Sequence, residues 1–79
     1  MQAYVLIQTD LGRVGEVVTE MQGLPGIVRA DTVTGPYDIV ALLEQPTLEE
    51  LGRQVVEGIQ VIDGVTRTLT CPLGAFPHP

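Results

Sequence analysis

Apolar positions along this chain switch between two periods, and the switches divide it into six segments. Ala3-Tyr4-Val5-Leu6-Ile7-Gln8 is β-branched, aromatic and too short for a helix, which predicts a first strand. Leu11, Val14, Val17, Val18 and Met21 then recur at helical spacing behind a cap offered by Thr9 and Asp10, although Gly12 and Gly15 weaken the first turn. Gly23 and Pro25 close that helix. Strands are expected from about 27 to 34 and from 37 to 44, joined by a turn at Gly35-Pro36. Thr47-Leu48-Glu49-Glu50 reads as a capping box, with Thr47 accepting from the third helical amide and Glu50 reaching back. A second helix follows, its stripe formed by Leu48, Leu51, Val55, Ile59 and Ile62, and Gly64 ends it before a fourth strand from 65 to 71.

The two halves echo each other. Pro25-Gly26-Ile27-Val28-Arg29 and Asp63-Gly64-Val65-Thr66-Arg67 each follow a helix and open a strand, 38 residues apart. Two strand–helix–strand copies give β-α-β-β-α-β, a ferredoxin-like α+β fold with a four-stranded antiparallel sheet and two helices on one face. The first and third strands are nearly continuous apolar runs, as central strands are, whereas the second and fourth are interleaved with polar residues. The order 4-1-3-2 follows, and Pro72, which cannot donate to a ladder, suits the end of an edge strand. Residues 1–72 are expected to form one domain, with 73–79 a Pro-rich tail.

Two helices cover one sheet face only. Tyr4 and Leu6 oppose Ala3, Val5 and Ile7, and Val40 and Leu42 oppose Ile39, Ala41 and Leu43, so the central strands are apolar on both faces. A chain of 79 residues also buries a modest core. Both facts predict a homodimer packed sheet on sheet.

Composition narrows the function. Ten acidic residues against four basic ones give a net charge of −6, which repels a polyanion, so direct nucleic-acid binding is not expected. The run from Ala3 to Ile7 is too short to span a bilayer, and a cytoplasmic protein without membrane contact is expected. The lone Cys71 reads as a small core residue, and the lone His78 lies between two prolines without a partner at ligand spacing. No metal, cofactor or catalytic residue is implied. Glu49 and Glu50 complement a helix start, and Glu16 and Glu20 form a solvated helix face.

Thr34-Gly35-Pro36-Tyr37-Asp38 stands apart. Gly-Pro suits the centre of a two-residue type II′ turn, and its plainer reading is a hairpin and nothing more. Asp38, however, falls by the period of its strand on the face of Val40 and Leu42, where a carboxylate beside an apolar surface can receive an ammonium or cap backbone amides. Thr66, Thr68 and Thr70 could offer hydroxyls to a polar ligand, or simply form a threonine ladder on an edge strand.

With Leu24-Pro25-Gly26-Ile27 after the first helix, Val33-Thr34-Gly35-Pro36-Tyr37-Asp38 at the central hairpin, and Gly64-Val65 with Thr68 and Thr70 in the last strand, the chain resembles the ligand-binding, oligomerising domain of the Lrp/AsnC family. The Gly-x-Tyr-Asp element is the specific part of the match, which covers almost the whole chain. The resemblance implies a non-enzymatic module whose homodimers assemble into higher oligomers, that binds an amino-acid effector where dimers meet and is linked to transcriptional regulation of amino-acid metabolism. The family's DNA-binding helix-turn-helix is not in this sequence, so the resemblance implies a stand-alone module, with a full-length Lrp/AsnC regulator as a partner through which it could act. It places Thr34, Gly35, Tyr37 and Asp38 in the pocket loop and brings Thr68 and Thr70 from the last strand, from an adjacent dimer. The prolines of the tail depart from the family's longer final strand. Two other functions share the topology: a small dimeric α+β-barrel monooxygenase or isomerase, needing acid/base groups inside a cavity, and an ACT-like amino-acid-binding module. An assembly-only protein with a vestigial pocket is a further alternative.

Overall fold

In a computed structural model, described over residues 1–74, the chain runs β1 (Gln2–Thr9), α1 (Val14–Gln22), β2 (Ile27–Thr32), β3 (Ile39–Glu44), α2 (Leu48–Gln54) and β4 (Val65–Pro72). A π-helical segment, Val55–Ile59, continues α2. The sheet is antiparallel with order β2-β3-β1-β4, the order expected from strand composition. The expected tail, including Phe76 and His78, lies largely outside the described residues.

Register explains which side chains form the core. Ala3, Val5 and Ile7 lie opposite Leu43, Ala41 and Ile39, and all six are fully buried beneath the helices. α1 contributes Val17 and Met21, one turn apart, while α2 and the π segment contribute Leu51, Val55 and Ile59 at successive four-residue steps. Four residues overshoot an α turn, so such a stripe drifts around a pure α-helix. The wider π turn, closed by Gln60 N–H donating to the Val55 carbonyl at 2.8 Å, takes up that drift and keeps Ile59 and then Ile62 on the core. Thr47 caps α2 as expected, its Oγ1 accepting from the Glu50 amide at 3.1 Å.

Two expectations about helix starts need correction. Leu11 is fully exposed and outside α1, because Gly12 turns the chain at φ +80° and the helix begins only at Val14, with Arg13 at its cap and no side-chain capping bond. Leu48 is exposed too, so the second stripe starts at Leu51.

The duplication is visible in the backbone. Gly26 and Gly64 both take positive φ, +83° and +101°, in the turns that lead from helix to strand. The Gly26 carbonyl accepts from the Glu44 amide, and the Gly64 carbonyl accepts from the Asp10 amide, each at 2.8 Å. Each half's glycine thus holds the end of the other half's first strand.

The opposite sheet face is bare of helices. Tyr4, Leu6, Val40, Leu42, Leu69 and Cys71 share it, and Tyr4 and Leu69 are 43% and 45% exposed. Cys71 is therefore a surface residue opposite Tyr4, not a core one: alternation along β4 sends Thr68 and Thr70 to the helix side and Leu69 and Cys71 away from it. Among the described residues no helix is long and apolar enough to cross a membrane.

Candidate functional site

The β2–β3 connection is wider than a two-residue turn. Its closing bond runs from the Val33 amide to the Asp38 carbonyl at 2.9 Å, leaving Thr34 to Tyr37 as a four-residue loop with Gly35 at φ +146°. The type II′ geometry fails because the Asp38 amide turns away from β2 and donates to the Ile7 carbonyl on β1 at 2.9 Å. β1 thus takes the bond that would have zipped the hairpin one step further.

Asp38 is consequently fixed at the junction of three segments. Its Oδ2 accepts from the Thr9 amide at 2.8 Å and from the Thr9 hydroxyl at 3.3 Å, capping the end of β1. A carboxylate has about four lone-pair directions, and Oδ1 accepts no hydrogen bond among the described residues. On the same side, Gln8 Nε2 donates to the Pro36 carbonyl at 3.3 Å and pins the loop against β1.

These contacts frame a surface depression of about 360 Å³ between the β1–α1 loop and the β2–β3 loop. Gly35, Pro36 and Asp38 form one wall, and Thr9 to Gly12 form the other. Thr34 and Tyr37 belong to the loop but not to the lining, Thr34 being exposed and Tyr37 half-buried. Sequence reasoning missed the second wall: the apolar spacing that begins at Leu11 made Thr9 and Asp10 look like a helix cap and Gly12 like a weak point in the first helical turn.

Thr68 and Thr70 are not brought to this depression within one chain. They face the helix side of edge strand β4, opposite Ile7 and Val5, with β1 between them and β3. The Thr68 hydroxyl accepts from Gln60 Nε2 at 2.9 Å, beside a separate depression of about 300 Å³, and the Thr66 hydroxyl donates to the Gln8 carbonyl at 3.1 Å. Any site holding both threonines and the loop draws them from different copies.

Arg13 braces the floor of the β1–α1 loop. Its guanidinium pairs with Asp63 at 3.0 Å and Glu16 at 2.8 Å, and these hydrogen bonds, first that to Asp63, raise its pKa above the ordinary arginine value. Among the described residues no three His, Cys, Asp or Glu side chains are placed to hold a metal ion.

Comparison with known proteins gives a consistent result. The sequence profile of the Lrp/AsnC ligand binding domain matches residues 2–73. An uncharacterised HTH-type transcriptional regulator of Pyrococcus abyssi is 34% identical over 68 residues, 86% of this chain and 43% of its own length; a second, from Pyrococcus furiosus, is 32% identical over 71 residues, again 86% of this chain and 47% of its own. The chain therefore spans less than half the length of these curated relatives. Among solved structures, a Thermus thermophilus protein superposes with a TM-score of 0.88 at 38% identity, covering 98% of both chains. A Neisseria meningitidis transcriptional regulator solved as an L-Met complex has the same fold, with a TM-score of 0.81 at 15% identity over 98% of this chain and 52% of its own.

Proposed function

This chain belongs to the Lrp/AsnC ligand-binding domain family, and from that premise we propose that it is a non-enzymatic, amino-acid-binding and oligomerising module linked to the transcriptional regulation of amino-acid metabolism. The observation that carries the reading is the placement of Asp38: one carboxylate oxygen is spent on Thr9, and the group lines a depression walled by two loops.

In this reading the fixed carboxylate receives the ligand's ammonium group, and Gly35, with no side chain, lets the backbone come close to it. Holding Asp38 by two bonds from Thr9 removes most of the entropy that ordering a free side chain would cost on binding. Thr34 and Tyr37 shape the loop's outer side, and Thr68 and Thr70 reach the site from an adjacent dimer. The Neisseria regulator's L-Met supports the ligand class. The exposed apolar sheet face supports pairing of copies, and the charge of −6 supports leaving DNA contact to a full-length partner in the cytoplasm.

The test is calorimetric titration against the twenty amino acids, paired with light scattering. At least one amino acid is expected to bind and to shift the distribution of oligomers, because a ligand held between dimers is linked to their assembly. Failure of all twenty to bind would sink the proposal.

A further inference from the structure

We propose that Arg67 is the carboxylate-binding residue of this site, so that Asp38 and Arg67 hold the two ends of a zwitterion; the inference rests on the amino-acid reading above. Three observations carry it. The first is register: Gln8 lies opposite Arg67 on β4, and Ile7 lies opposite Ile39 on β3, so Asp38, Gln8 and Arg67 follow one another across the same end of the sheet. Opposed residues of an antiparallel pair project to the same face, which puts Arg67 on the face of Gln8, whose amide already reaches the Pro36 carbonyl of the loop.

The second is charge. The chain has four basic residues, all arginine, against ten acidic ones. Arg13 pairs with Glu16 and Asp63, Arg29 with Asp31, and Arg53 with Glu49. Arg67 alone makes no ion pair among the described residues; it stands exposed and lines the neighbouring depression beside Thr66 and Thr68, outside the lining of the one at Asp38, in a molecule where carboxylates outnumber cations. The local field at the loop is anionic, with Asp10 and Asp38 both lining the depression, so a ligand carboxylate needs a compensating cation there.

The third is span. β3 and β4 flank β1, which separates them by roughly 10 Å. An α-amino acid holds its nitrogen about 2.5 Å from its carboxylate carbon, and a charged hydrogen bond at each end, about 2.8 Å long, lets it bridge groups about 8 Å apart. A guanidinium on its three-carbon stem covers the remainder and offers a fork that matches a carboxylate with two parallel bonds. Arg67 is thereby a specificity-determining residue, demanding a free carboxylate at the end of the ligand away from Asp38.

The experiment titrates the twenty L-amino acids and their twenty carboxamides into the parent protein, Arg67→Gln and Arg67→Lys. The parent is expected to bind an amino acid more tightly than its carboxamide by roughly ten- to a hundredfold. Arg67→Gln should bind acid and amide about equally, at the parent's affinity for the amide, and Arg67→Lys should retain part of the preference. Unchanged thermal unfolding of both variants would show that the fold is intact. If the parent prefers the acid and Arg67→Gln keeps the whole preference, Arg67 is overturned and the amino-acid reading stands. If no amino acid binds the parent, both are overturned together.

Discussion

The Thr9 amide donates to Asp38 Oδ2 at 2.8 Å, so the residue read as a ligand group is also a structural cap on β1. Substitutions at Asp38 must therefore be chosen to separate two roles. Asp38→Ala leaves a part-buried amide without its acceptor and is expected to lower stability by about 1–3 kcal/mol. Asp38→Asn keeps an oxygen for Thr9 while removing the charge, so it should unfold close to the parent in urea yet weaken amino-acid binding at least tenfold. Full binding by Asp38→Asn would exclude the carboxylate from the ligand contact.

Leu11 and Met21 offer a sharp contrast within one apolar pattern. Both fit helical spacing in the sequence, but Leu11 is fully exposed and Met21 fully buried. Leu11→Ala should change stability by no more than about 0.5 kcal/mol, and Met21→Ala should cost about 2–5 kcal/mol. Comparable losses in denaturant titrations would place Leu11 back in the core.

Gly26 and Gly35 both have positive φ, but only Gly26 is crowded. A Cβ at Gly26 would collide with the Gln45 and Gln54 amides and lie 3.0 Å from the Glu44 carbonyl, whereas one at Gly35 would meet nothing within 4 Å. Gly35→Ala is expected to cost about 1–3 kcal/mol for backbone strain alone, and Gly26→Ala distinctly more, because the Glu44 carbonyl belongs to the backbone and cannot move aside. Equal melting-temperature shifts would contradict this ranking.

The bare sheet face predicts concentration-dependent assembly. Leu69→Glu puts a charge on that face without touching the buried core, so the variant should keep its circular dichroism spectrum and sediment as a smaller species than the parent. An unchanged sedimentation coefficient would move the interface elsewhere.

Arg13 yields a prediction about conditions. Its raised pKa places the loss of its contribution to stability above the ordinary arginine range, so the arginine itself imposes no pH dependence near neutrality. Its pairs are exposed, and salt screens them. The melting-temperature difference between Arg13→Gln and the parent should shrink as salt rises toward 1 M; a difference independent of salt would mean that Arg13 acts by packing.

Element order, sheet order and the bare face were legible because each rests on period. Alternation in β1 and β3 assigns the faces, and polar interleaving marks β2 and β4 as edges. What the pattern hid depends on single bonds. The Asp38 amide turning to Ile7 widened the loop, Gly12 displaced the helix start, and the π turn after Gln54 kept a stripe aligned that spacing alone would have let wander. Within the candidate site, the contiguous residues Thr34 to Asp38 necessarily stayed together. Thr68 and Thr70 faced the helices because only pairing with β1 decides which side of β4 they occupy.

The crossed bonds of Gly26 and Gly64 bear on how the chain tolerates change. Because each half latches the other at the end of a neighbouring strand, a chain opened between Gly35 and Pro36 would still be knitted together by both latches and by the β1–β3 ladder. The stretch from Thr34 to Tyr37 is thus relieved of joining the two halves, and the positive φ of Gly35 is the backbone demand it retains.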